Sequence, residues 1–157
     1  MSDMRVFHLL QRAHGALFRA ADRLLLAREG VSATQHGVLL LLAHDDGQPS
    51  SVIAEALKMG KSSLTGLIDR MAAAGLVRRE TDADDARVQR IFIERPGRAI
   101  VARSLGEVKR INAELLKPFN AAERKTVERF LDHIAANAPS IVDAADASQT
   151  AGRKRAV

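Results

Sequence analysis

Apolar residues recur at helical spacing through the first segment, at Val6, Leu9, Leu10, Ala13, Leu17, Ala20, Ala21, Leu24 and Leu25. Such a stripe predicts an amphipathic helix over residues 5–28. Glu29-Gly30 stops it, with a glycine suited to a left-handed C-terminal position. Ser32-Ala33-Thr34-Gln35 then matches a capping box, in which the hydroxyl accepts from a backbone N–H and the glutamine reaches back. A second helix is therefore expected from Ala33 through the cluster Leu39 to Leu42 and on to His44. Asp45-Asp46-Gly47-Gln48-Pro49 reads as a turn. A third helix over residues 50–59 turns Ile53 and Leu57 to the core. Gly60 breaks it and serves as the N-cap of a fourth.

In that fourth helix Leu64, Leu67, Ile68 and Met71 fall on one stripe, and Lys61, Ser62, Thr65, Gly66 and Asp69 on the other. A polar stripe of short side chains lets a helix backbone approach base edges in a DNA major groove, although an ordinary solvated face looks the same. Residues 77–81 and the alternating run 88–93 read as two strands around the charged turn Asp82-Ala83-Asp84-Asp85-Ala86-Arg87. Helix, strand, arginine-tipped hairpin and return strand are the parts of a winged helix-turn-helix, with the tip placed for phosphate or the neighbouring minor groove. Pro96-Gly97 ends the second strand. A long helix over 98–117 follows, with Val101, Leu105, Val108, Ile111 (or its neighbour Asn112) and Leu115 near heptad spacing, until Pro118. Asn120-Ala121-Ala122-Glu123 caps a last helix carrying Val127, Phe130, Leu131 and Ile134. Beyond Asn137 the chain turns to Ala, Ser and Asp and ends in Arg153-Lys154-Arg155, which predicts a disordered basic tail with weak phosphate attraction.

The expected fold is mostly α with a small β-wing, a winged helix-turn-helix flanked by N- and C-terminal dimerisation helices. Its expected parts are an N-terminal dimerisation helix (1–30), the DNA-binding domain (31–97), C-terminal dimerisation helices (98–138) and the tail (139–157). The terminal helices exceed what a winged helix needs, and their apolar faces suit a two-fold homodimer with two recognition helices for a palindromic site. Wrapping of the same helices around their own domain in a monomer is the alternative.

Composition changes this picture little. In 157 residues, 46% of them hydrophobic, there is material for one compact core, and with five Phe and no Trp or Tyr that core is aliphatic. A net charge of +5 favours a polyanionic partner. The absence of cysteine excludes disulfides, thiolate zinc sites and thiol nucleophiles. The longest apolar run, residues 38–43, is far short of a membrane span, and Met1-Ser2-Asp3-Met4-Arg5 lacks a signal-peptide core, so a cytoplasmic protein with no membrane partner is expected.

In their order and spacing these blocks resemble the MarR family of bacterial transcription regulators over about residues 5 to 137. The resemblance rests on Ser32 to Gln35, Ile53-Ala54, Ser62-Ser63-Leu64-Thr65, Asp69-Arg70-Met71 and Gly75-Leu76-Val77-Arg78-Arg79. It continues in Asp85-Ala86-Arg87, Arg90-Ile91-Phe92-Ile93 and Phe119-Asn120-Ala121-Ala122-Glu123-Arg124. It implies a homodimer on a pseudo-palindromic double-stranded DNA operator, usually a repressor released by a small, often anionic aromatic effector. It also implies that Ser62, Ser63, Thr65 and Arg70 face DNA, with Arg87 at the wing tip and Asp85 holding it. Lys61, Gly66, Arg78 and Arg90 complete the expected DNA-binding set. Ala86 stands where many relatives carry a second arginine, Gly60 replaces the usual Ser or Asp cap, and Glu94-Arg95-Pro96-Gly97 departs from the common Thr-Glu-Lys-Gly.

His8, Arg12, His14, Phe18 and His36 come from the helices that the resemblance places around an effector cleft, and dimer packing is the competing reading of each. The five histidines show no close His-x-x-x-His pair, so neither a metal site nor a cofactor is expected. No nucleophile elbow, phosphate loop or carboxylate pair points to an enzyme. A winged-helix protein-interaction module without DNA binding is the remaining alternative, and it calls for an acidic or apolar recognition stripe in place of Lys61 and small polar residues.

Overall fold

The computed structural model describes residues 5–154, with 145–154 as helical backbone alone. The elements in order are α1 (Val6–Glu29), α2 (Ala33–His44), β1 (Gln48–Pro49), α3 (Ser50–Ala56), α4 (Lys61–Ala73), β2 (Val77–Thr81), β3 (Gln89–Ile93), α5 (Arg95–Leu116) and α6 (Ala121–Lys154). The chain divides into two compact units, Met1–Glu107 and Val108–Val157. It is mostly helical, with a small antiparallel sheet in the strand order β1-β3-β2.

In the first unit α2 is apolar nearly all round, and it buries Val38, Leu39 and Leu42 completely. Around it pack Ile53 and Ala54 of α3, Leu64, Leu67, Ile68 and Met71 of α4, and Ile91 and Ile93 of β3. Each α4 position expected on the core stripe is buried. The Ser32 hydroxyl accepts from the Gln35 N–H while the Gln35 side chain accepts from the Ser32 N–H, so the expected capping box closes. Gly30 takes the left-handed conformation at the end of α1.

Three local expectations need correction. The segment 45–49 is only partly a turn, because Gln48 and Pro49 pair with Ile91 and Arg90 as a third strand. Helix α3 ends at Ala56, and Lys58 adopts a left-handed φ of 51° in the turn before α4. Pro96-Gly97 does not separate strand from helix. It lies in the first turn of α5, where a proline has no hydrogen bond to lose. Gly97 is buried there against the sheet, and a Cβ on it would stand 2.5 Å from the Leu76 carbonyl oxygen and 2.9 Å from Leu39 Cδ2. Ile100, Val101 and Ser104 are also buried, so the start of α5 belongs to the winged unit and the expected boundary at 97/98 falls inside its packing.

The second unit contains the end of α5 and α6. Asn120 caps α6 by accepting from the N–H groups of Ala122 and Glu123, and the Glu123 carboxylate accepts from the Asn120 N–H. The expected disordered tail from residue 139 is instead helical as far as Lys154, with Pro139 inside the helix. Alanine-rich sequence costs little conformational entropy in a helix, which carries α6 past the proline. Residues 155–157 lie outside the described residues. No described helix is long and apolar enough to cross a membrane.

Candidate nucleic-acid interface

Helix α4 starts after Gly60, whose backbone is extended and whose missing side chain leaves the first N–H groups uncapped. Lys61, Ser62, Ser63, Thr65, Asp69 and Arg70 are exposed along it, and Gly66 is half-buried. The Arg70 guanidinium lies back over Gly66, where an added Cβ would meet Nη1 at 3.5 Å. The Thr65 hydroxyl donates to the Lys61 carbonyl at 2.9 Å. Its hydrogen is therefore occupied, and the side chain offers a methyl group and an accepting oxygen to anything that approaches.

The wing hairpin registers Val77 with Ile93, Arg79 with Ile91 and Thr81 with Gln89. Side chains alternate across such a ladder. Val77 and Arg79 point to the α4 side, and Arg78 and Glu80 point away from it. Arg79 donates to the Thr65 carbonyl at 3.0 Å and pairs with Asp69 at 2.9 Å, which ties the wing to α4. An open groove of about 280 Å³ lies between the two, lined by Ser50, Ser51, Lys61, Thr65, Arg79, Arg87 and Gln89 over a floor of Leu64, Ile68, Val88 and Ile91.

Side-chain caps hold the wing tip. Asp82 accepts from the N–H groups of Asp84 and Asp85 at 2.9 and 3.1 Å, and Asp85 accepts from the Arg87 N–H at 2.9 Å. The Arg90 guanidinium beside Asp82, assisted by those two N–H groups, holds the Asp82 carboxyl below its usual range. Arg87 itself is exposed and, like Lys61 and Arg70, makes no ion pair among the described residues.

Of the residues expected at the interface, Lys61, Ser62, Ser63, Thr65, Gly66, Arg70 and Arg87 lie along α4 and the wing, with Asp85 in support. Arg78 and Arg90 do not join them. Arg78 pairs with Glu80 at 2.8 Å and Glu94 at 3.1 Å, and its guanidinium stacks 4.6 Å from the Phe92 ring centroid. Arg90 pairs with Asp82 and donates to the Gly47 carbonyl at 3.0 Å. The groove arginine that sequence reasoning missed is Arg79. Alternation from the buried Val77 was the available signal, since it places Arg79 rather than Arg78 on the α4 side.

The five expected effector residues do not converge. His8 and Arg12 border a shallow depression on α1 with Gln11, Gly15 and Arg19. His14 and Phe18 form a separate ring pair, 4.8 Å apart. His36 is buried and its Nε2 lies 2.7 Å from the Ser104 hydroxyl, which donates onward to the Val101 carbonyl, so Nε2–H is the donor. Burial pushes the His36 pKa down from 6.5, against a smaller opposing effect of Glu29.

A model of the MarR family matches residues 29–88. A protein of Thauera aromatica named for transcriptional regulation of the hcr operon is 30% identical over 128 residues, covering 82% of this chain and 76% of its own. In fold the chain is similar to S. aureus MepR, solved as a DNA complex, with a TM-score of 0.78 at 19% identity over 86% of this chain and 99% of that one. It is also similar to PcaV of Streptomyces coelicolor, solved with its natural ligand, with a TM-score of 0.73 at 22% identity over 86% of this chain and 94% of that one. The α4–wing arrangement, the family match and the Thauera aromatica relative agree: the chain belongs to the MarR family of transcriptional regulators, which are not enzymes.

Proposed function

We propose that the protein is a homodimeric repressor that binds a pseudo-palindromic operator through α4 and the wing and leaves it when a small anionic effector binds. The observation that carries the DNA reading is the exposure of Lys61 and Arg87, without ion pairs among the described residues, on a groove they share with Ser50, Ser51 and Thr65, with Arg70 likewise exposed farther along α4. Cations without internal partners are free to neutralise phosphates, and Thr65 and Gly66 let α4 approach base edges. MepR, solved on DNA, supports the same reading through its fold.

Exposed apolar side chains support the dimer. In the first unit α1 leaves Phe7, Leu9, Leu17 and Leu26 in solvent, and in the second α6 leaves Phe130, Leu131, Ile141 and Val142 exposed. Faces of this extent normally lie under a partner. For the effector, Arg12 and Arg19 supply cations, and His8 a hydrogen-bonding ring, beside the apolar wall of Leu9, Ala13 and Ala16, as a carboxylate ligand needs. PcaV, solved with its natural ligand, supports effector control.

Gel-shift titration with DNA from upstream of the coding region tests the reading. Saturable binding that survives excess unrelated duplex is expected, and its loss on adding the effector would identify that compound. Binding that unrelated duplex removes completely would contradict operator recognition.

A further inference from the structure

Two turns that are distant in sequence are fastened together on the wing side of the first unit. In the turn between α2 and β1, the Asp46 carboxylate accepts from the Gly47 N–H at 3.0 Å and from the Ile93 N–H at 2.8 Å, and it pairs with Arg98 of α5. It thereby caps β3 where β1 is too short to pair with it. Gly47 is buried with φ 72°, and a Cβ there would strike the Phe92 ring at 2.6 Å, so the turn is held tightly against β3. Arg90 then spans the gap. It donates to the Gly47 carbonyl on one side and pairs with the Asp82 carboxylate on the other. The Asp82 side chain is only 11% exposed, and it orders the wing turn through two backbone N–H groups. The last link is Asp85 on the Arg87 N–H.

We propose that Arg90 is a positioning residue for DNA binding: by clamping the wing turn to the α2–β1 turn through Asp82 and Gly47, it fixes where the wing-tip Arg87 stands. This inference rests on the DNA-binding reading above but makes a claim about the free protein as well. Arg90 serves the carboxylate from Nε and the carbonyl from Nη1, two nitrogens fixed in one rigid plane; a lysine ammonium keeps the charge but has a single nitrogen on a flexible stem and holds the two turns less firmly. A contact arginine and a positioning arginine therefore differ in how lysine behaves. Asp82 differs in sign. Removing a carboxylate near the wing raises the positive charge facing the phosphates, which by electrostatics alone strengthens binding. Loss of the clamp weakens it.

Two readouts test the clamp on the full chain, with thermal melts to confirm folding. Because the chain has no cysteine, Ala86→Cys gives a single nitroxide position at the wing tip. In the free protein, Arg90→Lys and Asp82→Asn should each add a fast-motion component to its spectrum, whether or not DNA is ever bound. On selected operator DNA, both should lower affinity on the order of tenfold, and Arg90→Lys combined with Arg87→Ala should be no weaker than Arg87→Ala alone. Unchanged label mobility in both variants would overturn the clamp. So would Arg90→Lys binding like wild type, or Asp82→Asn binding more tightly. A label that loosens in a protein with no operator affinity would keep the clamp and sink the DNA reading instead.

Discussion

At Gly97, α5 runs so close to the sheet that no side chain fits: the would-be Cβ meets a backbone carbonyl, which cannot swing aside as a flexible side chain does. Gly97→Ala should therefore destabilise the first unit by about 1–3 kcal/mol, read as a lower denaturant midpoint with an unchanged slope. His36 makes a different residue-scale prediction. Its folded pKa lies below the ordinary 6.5, so the unfolded chain takes up the proton first as pH falls. The stability gained from burying it neutral is complete above that value and is lost as pH drops through the window beneath it. Melting temperature should thus fall as pH drops below 6.5, and His36→Gln, which keeps a donor for Ser104, should flatten part of that fall. Equal pH profiles for the two proteins would contradict the assignment. Neither residue's role is visible in sequence. In sequence His36 reads as a candidate effector contact and Gly97 as a strand stop, because both roles depend on what α5 brings against them.

At the scale of elements, local pattern carried most of the information. The stripe of Leu64, Leu67, Ile68 and Met71, the capping boxes at Ser32 and Asn120 and the alternation across the wing are each encoded within a few residues, and each forms as expected. What sequence left hidden was long-range. The two-residue strand β1 exists only because β3 offers it an edge, and Arg78 and Arg90 look like free cations until Glu94 and Gly47 are brought to them. Residues 139–154 differ for another reason: low hydrophobicity predicts disorder, whereas alanine content sustains a helix there. Helix α4 supplies a test that separates fold from contact. Gly66→Ala has room for its methyl, because only the flexible Arg70 side chain lies nearby, and it should raise stability by about 0.5–1 kcal/mol through helix propensity. The same methyl stands on the face proposed to approach base edges, so operator affinity should fall while the melt improves. A variant both more stable and equally tight would show that α4 keeps its distance from DNA at this point.

For the whole molecule, the proposed interface predicts how affinity responds to salt. Lys61, Arg70 and Arg87 from each subunit of a dimer would release on the order of six counterions, so binding should fall about 10³-fold between 50 and 200 mM salt. The central claim is that α4 reads bases while the wing arginine holds the backbone, and the most direct test is titration of wild type, Thr65→Ala and Arg87→Ala against the selected operator and a scrambled duplex. Arg87→Ala should weaken both duplexes nearly alike and reduce the salt slope. Thr65→Ala removes a methyl and an accepting oxygen, and should cost about 1–3 kcal/mol on the operator with little change on the scrambled duplex. An equal loss on both duplexes for Thr65→Ala would contradict the account, because α4 would then be gripping phosphate rather than reading sequence.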